Sequence, residues 1–118
     1  MRKENIVETK SFSFAIEIVS LVKKLQATHK EFILSKQLLR SGTAVGALIR
    51  EAEHAESKKD FVHKMSIALK EANETRYWLD LLFKSDYIPK QEYEILSDES
   101  VQLIRLLASI VKSSKQKV

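Results

Sequence analysis

Apolar residues return every three or four positions along most of the chain, and this rhythm predicts helices and little else. Phe12, Ala15, Ile16, Val19 and Val22 make one stripe, and Phe14, Ile18, Leu21 and Leu25 an adjoining one, so the first apolar arc is wide. "ATHKE" then reads as a turn. A second stripe runs through Phe32, Ser35, Leu38, Leu39, Gly42, Val45, Gly46, Ile49 and Ala52. "HAESKKDF" stops it and starts another: Ser57 is placed to cap the next turn, and Asp60 to favour the positive end of its dipole. Phe61, Met65, Ala68, Leu69, Ala72, Thr75, Leu79 and Leu82 carry the third stripe, widened by Trp78 and Leu81. After "KSDYIPKQ", with Pro89 in a first-turn position, a fourth follows on Tyr93, Leu96, Ser100, Leu103, Leu107 and Ile110, flanked by Ile104 and Val111.

The expected helices cover residues 9–27, 31–54, 58–85 and 89–113, to within a few residues at each end. Connections this short force neighbours to run antiparallel, so the predicted fold is all-α, an up-down-up-down four-helix bundle. The 118 residues are expected to form one domain, 1–118. Two Gly, one Pro and 31% charged residues fit long solvated helices. The absence of Cys removes disulfides and zinc–thiolate sites and suits a reducing compartment. With no signal-like start and no long apolar run, the expected setting is the cytoplasm, away from membranes.

Both glycines fall in one stretch, "LRSGTAVGALIREA", which raises three readings: a phosphate loop, a turn, or a helix made thin. A phosphate loop needs four residues between its glycines, then Lys and Ser/Thr; here three intervene and Ala47 follows, so that reading fails. A turn at Arg40–Thr43 remains open, because Gly inside a helix costs about 1 kcal/mol relative to Ala. The unbroken apolar phase from Leu38 to Ile49 favours the thin helix, with Gly42 and Gly46 clearing a face for a close neighbour.

The strings "QLLRSGT", "ESKKDF" and "KEANETRYWL", within Leu34–Leu82, closely resemble the four-helix-bundle proteins of the 23S ribosomal RNA intervening-sequence family, and the flanking helices resemble them too. The resemblance implies a left-handed bundle assembled into a homopentamer. It also implies similarity to the accessory protein of diversity-generating retroelements, a basic pentamer that binds nucleic acid and a reverse transcriptase. Some members are encoded within insertions in ribosomal RNA genes, and no catalytic activity comes with the likeness. One departure stands out: Gly46-Ala47-Leu48-Ile49 replaces a usual Gly-Ala-Asn-Ile, which removes the Asn's polar contact.

No nucleophile pattern is present, so no catalytic residue and no cofactor are assigned. Glu51-x-x-His54 and Asp60-x-x-His63 mimic half of a di-metal carboxylate site. They lie at the bundle's end, where Glu8 could approach but the fourth helix offers no acid. Charged helix ends explain them better, and no metal is expected. His29 falls in a turn and carries no signal. A second group joins Arg40 with Glu71, Glu74 and Arg76 beside Tyr77 and Trp78. In a monomer these are solvated ions of little worth; in an oligomer they are candidate interface pairs. Phe12, Phe14, Phe83, Tyr87 and Trp78 likewise fit either the core or an interface.

Net charge is +4, and it is uneven. Residues 23–50 hold Lys23, Lys24, Lys30, Lys36, Arg40 and Arg50 against Glu31 alone, while Glu92, Glu94, Asp98 and Glu99 form an acidic patch. The topology gathers Arg2, Lys3, Lys10, Arg50, Lys58, Lys59, Lys112, Lys115 and Lys117 at one pole, partly offset by Glu51, Glu53, Glu56 and Asp60. The expectation is a non-enzymatic, homo-oligomeric nucleic-acid-binding accessory protein, contacting RNA or DNA phosphates through Arg50, Lys58, Lys59, Lys112, Lys115 and Lys117, with a nucleic-acid-processing protein as a candidate partner. With Phe61 the one aromatic near that pole, base stacking there adds little. The alternatives are a protein-binding scaffold without a nucleic-acid role and, more distantly, a metal-dependent bundle enzyme.

Overall fold

The computed structural model describes residues 2–116, all helix and short connections with no strand among them. Helix α1 spans Lys3–His29, α2 Leu34–Glu53, α3 Lys58–Lys84 and α4 Lys90–Gln116. They form a four-helix bundle of 47 × 22 × 21 Å in which α1 packs on α2 and α4, and α3 on α2 and α4. The α2–α3 contact is the most extensive and the α1–α4 seam the sparsest. No helix among the described residues is long and apolar enough to cross a membrane.

The first helix starts well before Thr9 because Val7, fully buried, belongs to its core face. It also runs through most of the expected turn, since "ATH" contains no residue that breaks a helix. Lys30 stops it by adopting a left-handed conformation, φ 54°, from which its N–H and that of Glu31 both reach back to the Leu25 carbonyl. The second helix begins at Leu34, three residues later than the expected start at residue 31. The Glu31 carboxylate accepts the N–H groups of Ile33, Leu34 and Ser35 at 3.2, 3.0 and 2.7 Å, so it caps the helix from outside. Phe32 therefore lies off the helix and in solvent, not on the core stripe where the pattern places it.

Ser57 caps α3, its Oγ accepting the Asp60 N–H at 3.1 Å, and Asp60 in return accepts the Glu56 N–H. Between α3 and α4, Asp86 turns left-handed at φ 66° and the Tyr87 N–H closes on the Leu82 carbonyl.

The backbone stays helical through both glycines, with positive φ at neither, which settles the turn against the thin helix. They differ in purpose. A Cβ on Gly42 would sit 2.9 and 3.0 Å from the two γ carbons of Ile18, so α1 rests directly on that position. A Cβ on Gly46 would meet Ser11 no nearer than 3.5 Å, an ordinary contact. Between α2 and α3 the core holds a small polar clasp: Thr75 Oγ1 donates to the Glu71 carbonyl and lies 3.0 Å from Ser41 Oγ. Of the five questioned aromatics, Phe14 fills the core and Phe12 is exposed. Phe83, Tyr87 and Trp78 are half-buried, and Phe83 stacks on Tyr93 at 4.2 Å.

Candidate functional site

The up-down-up-down path brings the α2–α3 turn to the C-terminal end of α4: Ala55, Lys58 and Phe61 share a small cavity with Ser114. Arg50, Lys58, Lys59, Lys112 and Lys115 are exposed there, and none forms an ion pair among the described residues. Lys117 lies outside the described residues. The acids of the same pole are otherwise engaged. Glu51 pairs with Lys64 at 3.1 Å, and Asp60 caps α3. The Glu8 carboxyl is held above its usual range, first by a hydrogen bond with Glu53, then by burial and the Glu53 charge, against Arg50 and His54. Lysines outnumber free acids at this surface, with Glu56 the exposed acid left over.

Beside the pole a groove of about 920 Å³ runs between α1 and α2, floored by Ser11, Ala15, Gly46 and Ala47. Phe12 forms a wall, exposed to 55% with the Arg50 guanidinium 5.5 Å above its ring. Glu51, His54 and Asp60 stand on the rim. Among the described residues no three His, Asp or Glu side chains converge in a way that could hold a metal ion.

The Arg40 group divides. Arg40 reaches across to α3 within one chain, 3.2 and 3.3 Å from the two Glu71 oxygens, and also bonds Glu74. Trp78 Nε1 donates to the same Glu74 carboxylate at 2.9 Å, and these bonds, Trp78's first and Arg40's second, hold it below the usual range. Arg76 does not join them. It faces the Asp80–Tyr93 pair towards α4, with Tyr93 Oη 2.5 Å from Asp80, and its own Nε is buried without a partner. Two residues beyond Glu74 is about 200° around the helix, so the separation follows from helical geometry.

Sequence reasoning missed a second carboxyl pair, since its members are far apart in the chain. Glu17 on α1 meets Glu99 on α4, and each leaves one buried oxygen without a hydrogen bond. Burial first, and then the hydrogen bond and charge of Glu17, push the Glu99 carboxyl up to about 7, with Lys10 opposing. Between its ordinary 4.5 and about 7 the folded chain keeps a proton that the unfolded chain releases. Stability should therefore fall as pH rises through that window and stay low above it. Glu99→Gln is expected to flatten this slope and to raise the melting temperature at pH 8 relative to the parent; melting curves of both proteins at pH 5 and pH 8 check it.

It also missed the exposed pair Phe32 and Ile33, 55% and 77% accessible on the α1–α2 turn. The available signal was Glu31, a lone acid directly before an apolar run, where a carboxylate can satisfy the orphan N–H groups of a helix start.

The family model for the 23S rRNA-intervening sequence protein matches residues 3–109. The crystal structure of a protein of unknown function from the S23 ribosomal protein family of Bacteroides thetaiotaomicron VPI-5482 is similar at 53% identity and a TM-score of 0.92, covering 94% of this chain and 99% of that one. Among curated proteins, none matches.

Proposed function

The chain belongs to the 23S rRNA-intervening sequence protein family, and from that premise we propose that it is a non-enzymatic, homo-oligomeric basic bundle that binds RNA or DNA in the cytoplasm as an accessory to nucleic-acid processing. The observation that carries this reading is the imbalance at the α2–α3 pole. Arg50, Lys58, Lys59, Lys112 and Lys115 stand exposed without ion pairs among the described residues, while Glu51, Asp60 and the Glu8–Glu53 pair are occupied with their own partners. Unpaired ammonium groups on a helical end are suited to phosphate, whatever the base sequence. Self-association is supported by Phe12 and Ile16, both more than half exposed on α1 beside the small-residue floor of the groove, an apolar strip that a second copy would cover. Five copies, the number implied by the likeness to pentameric bundles, would multiply the polar field at each end.

Light scattering coupled to size exclusion should return a multiple of 13.6 kDa at micromolar concentration. The same preparation should shift labelled RNA at about 50 mM salt and release it steeply as salt rises. An oligomer that retains no nucleic acid at low salt would leave the protein-binding scaffold as the function, and a monomer would remove the assembly.

A further inference from the structure

The opposite pole carries a feature that a phosphate-binding end does not need. Phe32 and Ile33 project from the α1–α2 turn, and the turn is built to hold them there. Lys30 and Glu31 are fastened to Leu25, and the Glu31 carboxylate takes the three N–H groups that follow. The five hydrogen bonds that cap α1 and α2 also fix the backbone on which the exposed Phe32 and Ile33 stand.

Charge narrows the partner. Lys30 and Lys36 flank the pair, exposed and without ion pairs among the described residues. Glu31 lies between them but is spent on the backbone: burial would raise its carboxyl, yet the N–H groups of Leu34, Ser35 and Ile33 hold it below the usual range. Farther round this pole Glu92 is paired with Lys24, Glu94 with Lys90, and Asp80 accepts the Tyr93 hydroxyl, while Asp86 and, two turns into α4, Asp98 have no ion pair among the described residues. Because Glu31 occupies the first N–H groups of α2, an anion at this tip is met by ammonium groups and not by the helix end.

A ring flanked by two free lysines matches one chemistry, a polyanion whose flat apolar faces are uncovered. In a duplex the base faces are buried in the stack; in a single strand they are available to an aromatic side chain. We infer that the Lys30–Lys36 turn is a stacking tip for single-stranded nucleic acid, with Phe32 taking a base face, Ile33 packing beside it, and Lys30 and Lys36 contacting the flanking phosphates. This rests on the nucleic-acid reading and adds to it: the α2–α3 pole supplies strand-indifferent attraction, and the tip discriminates for unpaired bases.

The test is fluorescence anisotropy of a labelled RNA oligonucleotide, single-stranded and annealed to its complement, against the full chain at about 50 mM salt. Phe32→Ala should weaken single-strand binding by about five- to a hundredfold, the range for loss of one stacked aromatic, and leave duplex binding unchanged. Phe32→Tyr should restore it. Lys30→Gly suits the left-handed turn, so it removes a charge without straining the backbone, and it should reduce the salt dependence by about one contact. If the parent binds RNA and Phe32→Ala binds the single strand equally well, the tip is wrong while the nucleic-acid reading stands. If Phe32→Ala lowers the oligomer mass, the tip is a contact between copies and the inference is overturned. If the parent binds neither form, the reading and the tip fall together.

Discussion

Gly42→Leu is expected to cost about 3 kcal/mol or more, a large fraction of the roughly 5–15 kcal/mol that holds a domain of this size together. Glycine at a helix interior position ordinarily invites improvement, since a side chain there gains up to about 1 kcal/mol of helix propensity. At residue 42 that gain is overwhelmed. The first added carbon already lies 2.9 Å from Ile18 Cγ2, and Ile18 is fully buried and branched at Cβ, so it cannot swing aside. The remaining carbons must push α1 off α2. Four residues on, Gly46→Ala should have the opposite sign, stabilising by about 0.5–1 kcal/mol, because its new methyl meets Ser11 at 3.5 Å. Denaturant unfolding of the two variants checks the pair. Adding Ile18→Ala to Gly42→Leu should recover part of the loss, because it removes the atoms in conflict; a purely additive double variant would show that the clash lies elsewhere.

Reversing Lys58, Lys59, Lys112 and Lys115 to Glu together is the second large effect expected. Each lysine is exposed and has no ion pair among the described residues, so substitution should leave the melting temperature close to the parent's. Nucleic-acid affinity at about 50 mM salt should nevertheless drop on the order of a hundredfold or more, and the salt dependence should lose roughly one contact for each phosphate no longer neutralised. The loss should be equal for single strands and duplexes, unlike the loss expected from Phe32→Ala. An unchanged affinity in a correctly assembled variant would move the phosphate surface away from this pole.

Much of this architecture is legible in the sequence, for physical reasons. Thr75, Leu79 and Leu82 mark the buried face of α3 because helix periodicity is local and core burial follows it, and Ser57 caps where its type and position indicate. Periodicity also carries α2 through its glycines. What it cannot supply is the reach of a side chain outside its own turn. Phe32 fits the phase of α2, yet the carboxylate one residue before it closes the helix start beyond it. The Arg40 group shows the other limit. Arg40, Glu71 and Glu74 are brought together by the α2–α3 packing, whereas Arg76, close in sequence, points to a different helix. Glu17 and Glu99 depend on the register of α1 against α4, which no local pattern encodes.

That register has a kinetic side. The α2–α3 hairpin is short-range, broadly packed and fastened by the Ser41–Thr75 clasp and the Arg40 pairs, whereas the closure of α1 on α4 joins the two ends of the chain across the sparsest seam. Closing the longest loop last and opening it first is the cheapest order in chain entropy. Amide hydrogens of α1 and α4 should then exchange ahead of those of α2 and α3, in a sub-global opening that bares the inner faces of the outer helices while the central hairpin persists. The Glu17–Glu99 pair lies across the seam expected to open first, so the same substitution that flattens the pH dependence of melting should also slow exchange along α1 and α4 at pH 8.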